Sequence, residues 1–590
     1  MIDVKLKETD VVVVGLGWAG GILANELSAH GLQVVALERG RPRSTEQDFS
    51  IPLIRDELRY AIRYELMQDI RQDTLTFRNH PAQSALPMRR LDSFLPGDGV
   101  GGSGAHWNGL TWRWTDMDFR IRSYYEERYG KQFIPDDMSI QDWGVTYAEL
   151  EPFFDRFEYA AGTSGQAGNL GGKIVAGGNP FEAPRRRDYP LPPLHAGLAA
   201  ELFSDAARKL GYHPFPVPAS NASRAYTNPD GIALGQCQYC GFCDRFGCEA
   251  NAKASPHNTV IAAAMKRATF TLRPHSRVTR VTTDDGNRRV TGVEYLDALT
   301  GKSVFQPARI VILSAYTFSN VHLLLTSGIG RPYDPATGSG TIGKNYCYNT
   351  GASSMLFFED RTFNPFIGAG GSFAAIDDFY TNRQFDRSAA RFVGGSVLVS
   401  GHPGGRPIGY HPVPPGTPRW GSDWKSGMAR WYQKSMPIGA MASVMPNRYN
   451  YLDLDPTYRD TTGRPMLRLT FDFPDNERRV SQHAASVVNA VARATNPTHH
   501  AAAQSRIAPY SVDRYQGTHN TGGAIMSASP DTGFVNKYGQ AWDFDNLFVA
   551  GGAIMPHNAA YNPTGTIGAL AYFAADAIRR RYTRHPGPLV

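Results

Sequence analysis

The chain opens with short apolar runs separated by a stretch of helical periodicity. Residues 10–15 form a continuously apolar, β-branched run, which predicts a parallel strand that is covered on both faces. Residues 18–30 place apolar side chains at helical spacing, and residues 32–37 form a second apolar run. The order of strand, helix and strand predicts a βαβ unit at the start of the chain.

Strand-like apolar runs and stretches of helical periodicity recur at longer intervals along the rest of the chain. Residues 46–78 have a mixed pattern that is helical in parts. Strand patterns cover 269–281, 290–296, 309–314 and 546–550, and helix patterns cover 320–326, 476–495 and 565–581. Residues 351–472 are rich in aromatic and alternating stretches, which favours an antiparallel sheet. The pattern therefore predicts an α/β fold, α+β overall, that joins a parallel sheet to a second, antiparallel sheet.

Composition narrows the classes of function. The 590 residues are 42% hydrophobic and 19% charged, which is typical of a globular chain of two to four domains. A net charge of +7 without a dense Lys/Arg run makes nucleic acid an unexpected partner. No apolar run reaches 18 residues, and residues 1–10 carry neither an apolar export segment nor twin arginines. These features are typical of a cytoplasmic chain, unless a partner carries it out of the cell.

Three glycines and a carboxylate in the first βαβ unit form a nucleotide-binding pattern. Gly15, Gly17 and Gly20 follow the first strand and open the helix. Glycine at these positions allows a tight turn, a close approach of the backbone to a pyrophosphate, and close packing of the helix on the strand. Glu38 closes the second strand and is expected to accept hydrogen bonds from the adenosine ribose. The pattern fits FAD or NAD, and its position at the N-terminus favours FAD.

A glycine-rich loop over residues 99–109 carries a resemblance to a known family. The loop resembles the flavin-contacting signature of the glucose–methanol–choline (GMC) oxidoreductases, with Gly104 in place of a second serine. Glycine lets backbone N–H groups reach a cofactor without a side-chain clash. The resemblance implies that the loop binds FAD through Gly101, Gly102, Ser103, His106, Asn108 and Gly109.

One histidine in this loop has a further expected role. His106-Trp107 resembles the Thr-His-Trp of pyranose 2-oxidases, in which the histidine is bonded to the flavin methyl group. The resemblance therefore implies that FAD is covalently linked through His106. The alternative is a histidine that is simply hydrogen-bonded within the loop.

The C-terminal part resembles the catalytic region of the same family. Residues 519–526 resemble the block that begins with the family's catalytic histidine, with Gly523 where threonine is usual. The resemblance implies that His519 takes the hydroxyl proton and that Asn562 is its partner in front of the flavin. The rivals of His519 are His557 and His106. Further cofactor contacts are expected from Val281, Gly552, Pro563 and Thr564.

A third block extends the resemblance over essentially the whole chain. Residues 311–330 resemble the second GMC signature, with Tyr316 and Asn320 in place of the customary glycine and proline, so a different local turn is expected. The resemblance implies a Rossmann-type FAD-binding domain combined with a GMC substrate domain on an antiparallel sheet. The implied division is 1–120 (FAD-binding), 121–225 (substrate-domain and cap elements), 226–345 (iron–sulfur segment and FAD-binding), 346–505 (substrate domain) and 506–590 (FAD-binding with the catalytic residues).

Four of the five cysteines lie within twelve residues of sequence: Cys237, Cys240, Cys243 and Cys248. Such close neighbours are poor disulfide partners and favour a metal or a cluster. The spacing resembles that of ferredoxins, and a zinc site of four cysteines is the alternative. The family resemblance favours an iron–sulfur cluster, [3Fe–4S] above all, for which three of the four cysteines suffice. The fifth cysteine, Cys347, is isolated and is expected to be a buried structural residue.

Within the family, the motifs are similar to the flavin subunits of bacterial three-subunit dehydrogenases of sugar acids, sugars and polyols. The implied reaction is the oxidation of a secondary alcohol to a ketone, with gluconate to 2-ketogluconate as the expected case. The implied partners are a small subunit that bears a twin-arginine export signal and a multihaem cytochrome c subunit. The chain would then work in the periplasm, held at the inner membrane by the cytochrome.

Three other functions remain open from the sequence. A pyranose-type oxidase would pass its electrons to oxygen, which the cysteine cluster disfavours. A glucoside 3-dehydrogenase would share the cofactors and differ in substrate, which residues 351–472 are expected to select. A flavoprotein that only carries electrons is disfavoured by His519 and Asn562.

Overall fold

The computed structural model describes residues 2–50, 56–62, 65–89, 94–402, 404, 406, 408–512 and 518–589. The strands in chain order are β1 (Val4–Lys5), β2 (Thr9–Val14), β3 (Val34–Leu37), β4 (Thr76–Arg78), β5 (Leu86–Pro87), β6 (Asn169–Leu170), β7 (Lys173–Ile174), β8 (Phe215–Pro216), β9 (Tyr226–Thr227), β10 (Ala233–Leu234), β11 (Phe270–Arg273), β12 (Ser276–Thr283), β13 (Val290–Asp297), β14 (Ser303–Leu313), β15 (Thr350–Phe357), β16 (Ala374–Phe379), β17 (Ser396–Ser400), β18 (Ser435–Ala442), β19 (Tyr451–Arg459), β20 (Pro465–Thr470), β21 (His499–Ala501) and β22 (Leu547–Val549). The helices are α1 (Trp18–Ala29), α2 (Thr45–Asp48), α3 (Asp116–Phe119), α4 (Ile121–Tyr129), α5 (Tyr147–Ala160), α6 (Leu198–Lys209), α7 (Val260–Ala264), α8 (Thr317–Thr326), α9 (Gly421–Trp431), α10 (Asp475–Ala494) and α11 (Thr564–Ala577).

The nucleotide-binding sheet has a parallel part made of β11, β3, β2, β14 and β22. Successive residues of β2 face opposite sides: Val11 and Val13 belong to one buried cluster, Val12 and Val14 to another. Helices α1, α7 and α11 pack together on the side of Val11 and Val13. Burial on both faces explains the continuous apolar run of β2, and the predicted βαβ opening is confirmed.

Strand β14 is longer than its predicted range of 309–314, and its two halves pair differently with their neighbours. Its second half is the parallel partner of β2 and β22. Its first half pairs antiparallel with β13, which in turn pairs antiparallel with β12. The first half therefore alternates between buried and partly exposed positions, and this alternation hid it from a search for an apolar run.

The second large sheet has six strands in the order β21-β15-β18-β17-β16-β8, and all its pairs are antiparallel. Helices α6 and α10 lie against it and share a buried cluster with its strands. The predicted α/β fold with an antiparallel second sheet is confirmed. This sheet also includes strands from residues 215–216 and 499–501, so it joins parts of the chain that are far apart in sequence. The five-part division of the chain remains a proposal.

The stretch over residues 46–78 is mixed and helical in short parts, as the sequence predicts. Among the described residues of this stretch, helix is confined to α2 and a single π-helical turn over Leu58–Ile62. Its last residues form β4, which pairs with β20 nearly 400 positions further along the chain. A partner that distant leaves no mark in the local pattern of residues 46–78. The described helices include none that is both long and apolar enough to cross a membrane.

Candidate active site

A cavity of about 320 Å³ lies at the carboxyl ends of the parallel strands. Gly15, Ser314 and Gly551 line it, and they follow the ends of β2, β14 and β22. Ligands of open parallel sheets bind at this edge, where the strand ends and the helix N-termini meet. The cavity is therefore the place at which the sequence predicts FAD.

The three glycines of the first turn have different surroundings. A Cβ on Gly15, whose φ is +88°, would lie 2.6 Å from the Cα of Ala315, and one on Gly20 would lie 2.0 Å from the carbonyl oxygen of Gly15. These two positions need glycine for packing alone. Gly17 lines the cavity, and a Cβ there would meet no protein atom within 4 Å. The space in front of Gly17 is therefore free for a ligand, as the approach of a pyrophosphate requires.

Glu38 follows β3 directly and lines the cavity. Its Oε2 accepts a hydrogen bond from the backbone N–H of Leu16 and its Oε1 accepts one from Gly40, each at 3.0 Å. Burial raises the pKa of Glu38 above its ordinary value, while these two backbone donors oppose the shift. The bonds fix the carboxylate at the cavity wall and leave it lone pairs for ribose hydroxyls.

The glycine-rich loop brings four of its six predicted residues to the cavity wall: Gly102, Ser103, His106 and Asn108. The other two shape the backbone, since Gly101 and Gly109 have φ values of +102° and +91°, which favour glycine. Ser103 Oγ accepts a hydrogen bond from the backbone N–H of Gly97 at 2.8 Å, so its side chain fixes the loop.

The wall also carries buried polar atoms that the described part of the protein leaves without a hydrogen-bond partner. They include the Nε2 of His106, whose residue is 3% exposed, and the Nε1 of Trp18. Burial, assisted by Lys253, lowers the pKa of His106 to about 3, so the ring is neutral. Unpartnered polar atoms, the open space at Gly17 and the carboxylate of Glu38 together fit FAD.

The C-terminal segment supplies another part of the cavity wall. Gly552, Pro563 and Thr564 line the cavity, and Thr564 is the first residue of α11. The N-terminus of this helix therefore points its free N–H groups toward the site expected for the flavin. Val281 lies elsewhere: it is buried in the core and donates its backbone N–H to Ser327, while Val278 of the same strand reaches the cavity.

Gly17→Ala tests the cofactor site without disturbing the fold. Gly17 precedes α1 with φ −83° and ψ −159°, a conformation that alanine adopts freely. We expect the variant to fold normally but to bind FAD roughly tenfold or more weakly, a loss of about 1.4 kcal/mol, because the methyl group would occupy the pyrophosphate space. The measurement is the flavin content per purified chain.

Gly197→Ala is the matched control for this variant. Gly197 precedes α6 with φ −84° and ψ 164°, and a Cβ there would also meet nothing within 4 Å. The control should retain its full flavin content. Equal flavin contents in both variants would show that Gly17 does not face the cofactor.

His519 and Asn562 lie together on the cavity wall, as the sequence predicts. The Nδ2 of Asn562 is 2.9 Å from the Nε2 of His519, and the Oδ1 of Asn562 accepts a hydrogen bond from the indole N–H of Trp112 at 2.8 Å. The Nδ2 of Asn349 is 3.2 Å from the Nδ1 of His519. The imidazole is thus held at both of its nitrogens.

Burial lowers the pKa of His519 to about 4, so the ring is neutral at pH 7 and carries one lone pair that can accept a proton. Its rival His557 is 0% exposed and lies outside the cavity lining, where its Nδ1 accepts from the indole N–H of Trp143 at 3.1 Å. His557 therefore packs in the core, and His519 is the better placed proton acceptor.

Two residues that depart from the family signature shape the neighbouring wall. Tyr316 has φ +74°, a left-handed conformation that suits the glycine customary at this position. Its hydroxyl group accepts from Asn520 at 2.6 Å and donates to the backbone oxygen of Phe94 at 3.1 Å. The Oδ1 of Asn320 accepts from the backbone N–H of Ala315 at 2.8 Å. Side-chain hydrogen bonds thus stabilise this turn.

The four clustered cysteines line a second, smaller cavity of about 20 Å³. All are free thiols, and burial raises the pKa of Cys237 to about 12 and that of Cys240 to about 11. Among the described residues, no group of three or more His, Cys, Asp or Glu side chains is arranged so that it could bind a single metal ion. Cys347 lies apart and is fully buried, as expected.

The cysteine cavity and the large cavity share one wall. The Sγ of Cys243 lies 3.6 Å from the backbone oxygen of Asn108, and Asn108 lines the large cavity. Lys253 lines the cysteine cavity, and its Nζ donates to the backbone oxygens of Trp107 and Cys243. A single loop, His106 to Asn108, therefore separates the two sites.

Comparisons with known proteins identify relatives of this chain. Residues 194–350 and 446–571 match the two sequence models of the GMC oxidoreductases. The chain is 45% identical to the gluconate 2-dehydrogenase flavoprotein of Pantoea cypripedii, over 99% of this chain and 96% of that protein. It is 26% identical to the fructose dehydrogenase large subunit of Gluconobacter japonicus, over 96% and 97% of the two chains.

Solved structures with the same fold are more distant in sequence. The pyridoxine 4-oxidase of Mesorbium loti superimposes with a TM-score of 0.58 at 17% identity, over 98% of this chain and 100% of the other. The formate oxidase of Aspergillus oryzae gives a TM-score of 0.60 at 16% identity, over 99% of each chain. At these identities the likeness concerns the fold alone.

Proposed function

The chain belongs to the GMC oxidoreductase family of FAD-dependent enzymes that act on CH–OH groups, and we propose that it oxidises gluconate to 2-ketogluconate. The observation that carries the proposal is the His519–Asn562 pair on the wall of the flavin cavity. The 45% identity to a gluconate 2-dehydrogenase flavoprotein supports the choice of a sugar acid as substrate.

His519 and Asn562 have different roles in the proposed oxidation of the alcohol. Oxidation to a ketone removes the hydroxyl proton and a hydride from the same carbon, and bound FAD supplies the hydride acceptor. The neutral imidazole of His519 takes the proton at Nε2. Asn562 directs its oxygen to Trp112 and one N–H to His519, so its second N–H is the one left for the substrate oxygen. Asn562 therefore orients the hydroxyl as a hydrogen-bond donor.

We further propose that the four cysteines hold an iron–sulfur cluster, [3Fe–4S] in type, through which electrons leave toward a cytochrome c. The shared wall supports this proposal, because Cys243 contacts the backbone of a residue that lines the flavin cavity. Thiols whose pKa is raised by burial ionise readily only beside a cation, which a cluster provides.

His106 is the residue that we propose as a covalent link to FAD. Its buried Nε2 has no partner among the described residues, and the ring is neutral, so this nitrogen has a free lone pair at the cavity wall if the proton is on Nδ1. Acid-denatured wild-type protein should therefore retain its flavin, whereas His106→Ala should release it. Release of all the flavin from the wild type would show that the cofactor is held without a covalent bond.

The assembly is proposed from the relatives. The fructose dehydrogenase relative is named as a large subunit, so that protein works in a larger complex. We propose that this chain likewise joins a small subunit with a twin-arginine signal and a multihaem cytochrome c subunit. In that complex it would lie in the periplasm, peripheral to the inner membrane.

Product analysis tests the proposed reaction. Incubation of the purified protein with gluconate and a one-electron acceptor should give 2-ketogluconate. A product with its ketone at another carbon would show that the enzyme oxidises a different hydroxyl group of gluconate. Turnover of glucosides without turnover of gluconate would contradict gluconate as the substrate and favour a glucoside dehydrogenase.

A further inference from the structure

His519 has a hydrogen-bonding group at each ring nitrogen, and the two contacts have different consequences. Asn562 faces Nε2 at 2.9 Å and Asn349 faces Nδ1 at 3.2 Å. A neutral imidazole carries one N–H and one lone pair, and a general base needs its lone pair on the nitrogen that faces the substrate. The neighbours of the ring therefore decide whether His519 is ready to accept a proton.

The orientation of Asn562 follows from Trp112. An indole N–H can only donate a hydrogen bond, so the group of Asn562 that lies 2.8 Å from it is the amide oxygen. The amide nitrogen of Asn562 must then face His519 and donate to Nε2. Nε2 accordingly carries the lone pair, and the single ring proton resides on Nδ1.

The proton on Nδ1 requires an acceptor, and Asn349 is the group in reach. The oxygen and nitrogen of an asparagine amide exchange places by a half-turn, so hydrogen-bond logic assigns them. We propose that Asn349 is a positioning residue, which presents its Oδ1 to the Nδ1–H of His519 and so holds the base in its reactive tautomer. This inference rests on the proposed role of His519 as the base.

The backbone keeps Asn349 in register with His519. Cys347 and Thr521 exchange two backbone hydrogen bonds at 3.0 Å each, as in an antiparallel bridge. Continuing this pairing by two residues places Asn349 opposite His519. The Nδ2 of Asn558 donates to the backbone oxygens of both Tyr348 and His519, at 2.5 Å each, and ties the two segments together.

The surroundings of the pair include buried groups with raised pKa values and two groups that act on them by charge, Glu477 on Cys347 and Arg506 on Tyr348. On the segment of Asn349, burial raises the pKa of Cys347 and of Tyr348 well above their ordinary values. Beside Asn520, burial likewise raises the pKa of Tyr316 and of Tyr346. The lowered pKa of His519 arises from burial alone. A carboxylate at position 349 would lie at hydrogen-bonding distance from the Nδ1 of His519 and should therefore act on the pKa of His519 directly.

Two substitutions separate a positioning role from a structural or substrate-binding role. Asn349→Leu removes the acceptor, and we expect gluconate-dependent flavin reduction to slow on the order of tenfold with little change in KM. Asn349→Asp keeps an acceptor and adds a charge, so it should retain most of the activity. The carboxylate should also raise the pKa of His519 by about 1–3 units.

The pH profile shows this shift directly. In the wild type, kcat/KM should fall as the pH drops through about 4, because His519 becomes protonated there. In Asn349→Asp this acid limb should move to higher pH, and in Asn349→Leu it should not. A change in KM with the acid limb unmoved in Asn349→Asp would overturn the proposal in favour of substrate binding.

The tautomer itself can be observed by NMR of protein labelled with ¹⁵N in its histidine rings, where the His519 signal is the one missing from His519→Ala. The wild type should show the proton on Nδ1, and Asn349→Leu should shift it toward Nε2. A wild-type proton on Nε2 would refute the inference. The predicted tautomers together with undiminished activity in both His519→Ala and Asn349→Leu would show that Asn349 sets the tautomer, but would refute His519 as the base and with it the catalytic importance of Asn349.

Discussion

His519→Ala is expected to slow flavin reduction by gluconate by roughly 10²–10⁴-fold, the usual contribution of a positioned general base. The variant removes the imidazole whose Nε2 lies beside Asn562, and no other described histidine occupies that place. FAD should remain bound, because the glycine turn, Glu38 and His106 lie on other parts of the wall. The measurement is the anaerobic rate of flavin reduction after rapid mixing.

A surface histidine provides the control for this prediction. His585 is exposed near the C-terminus, and His585→Ala should reduce its flavin at the wild-type rate. Fast reduction in His519→Ala would assign the proton transfer to another group. Loss of flavin from His519→Ala would make the rate uninformative for the base, and His519→Gln, which keeps a polar side chain at the wall, would then replace it.

Single replacement of the clustered cysteines by alanine is expected to remove the iron and to abolish electron transfer to a one-electron acceptor. A [3Fe–4S] cluster needs three cysteine ligands, so at least three of the variants at positions 237, 240, 243 and 248 should lose the iron EPR signal. The first reduction of the flavin by gluconate should survive, because His519 and Asn562 remain in place. EPR, iron analysis and acceptor assays measure the three effects.

Cys347→Ala is the matched control, since Cys347 lies apart from the cysteine cavity. It should keep its iron and its acceptor activity. Zinc in place of iron in the wild type would assign the cysteines to a structural metal site. Full acceptor activity in all four cluster variants would show that electrons leave the flavin by another route.

Local patterns in the sequence predicted the parts of the fold that depend on neighbouring residues. The apolar run of β2 and the glycines after it lie within a dozen positions, and each has its own physical reason in the structure. The four clustered cysteines line one cavity, which their close spacing in the sequence predicted. His519 and Asn562 were found through the family resemblance, and their 2.9 Å contact agrees with it.

Contacts between distant residues could not be predicted in the same way. Trp112 orients Asn562 across 450 positions, and Asn349 meets His519 across 170. Neither Trp112 nor Asn349 stands in a pattern that marks it. A signal did exist for Tyr316, since a tyrosine at a customary glycine position must adopt a positive φ and needs partners to stabilise it.

The visible absorption spectrum of the purified protein, recorded without oxygen before and after addition of gluconate, tests the central claim most directly. The proposed function predicts flavin bands that bleach when gluconate is added. Flavin bands that gluconate leaves unchanged, while a chemical reductant still bleaches them, would contradict the assignment of gluconate as the substrate.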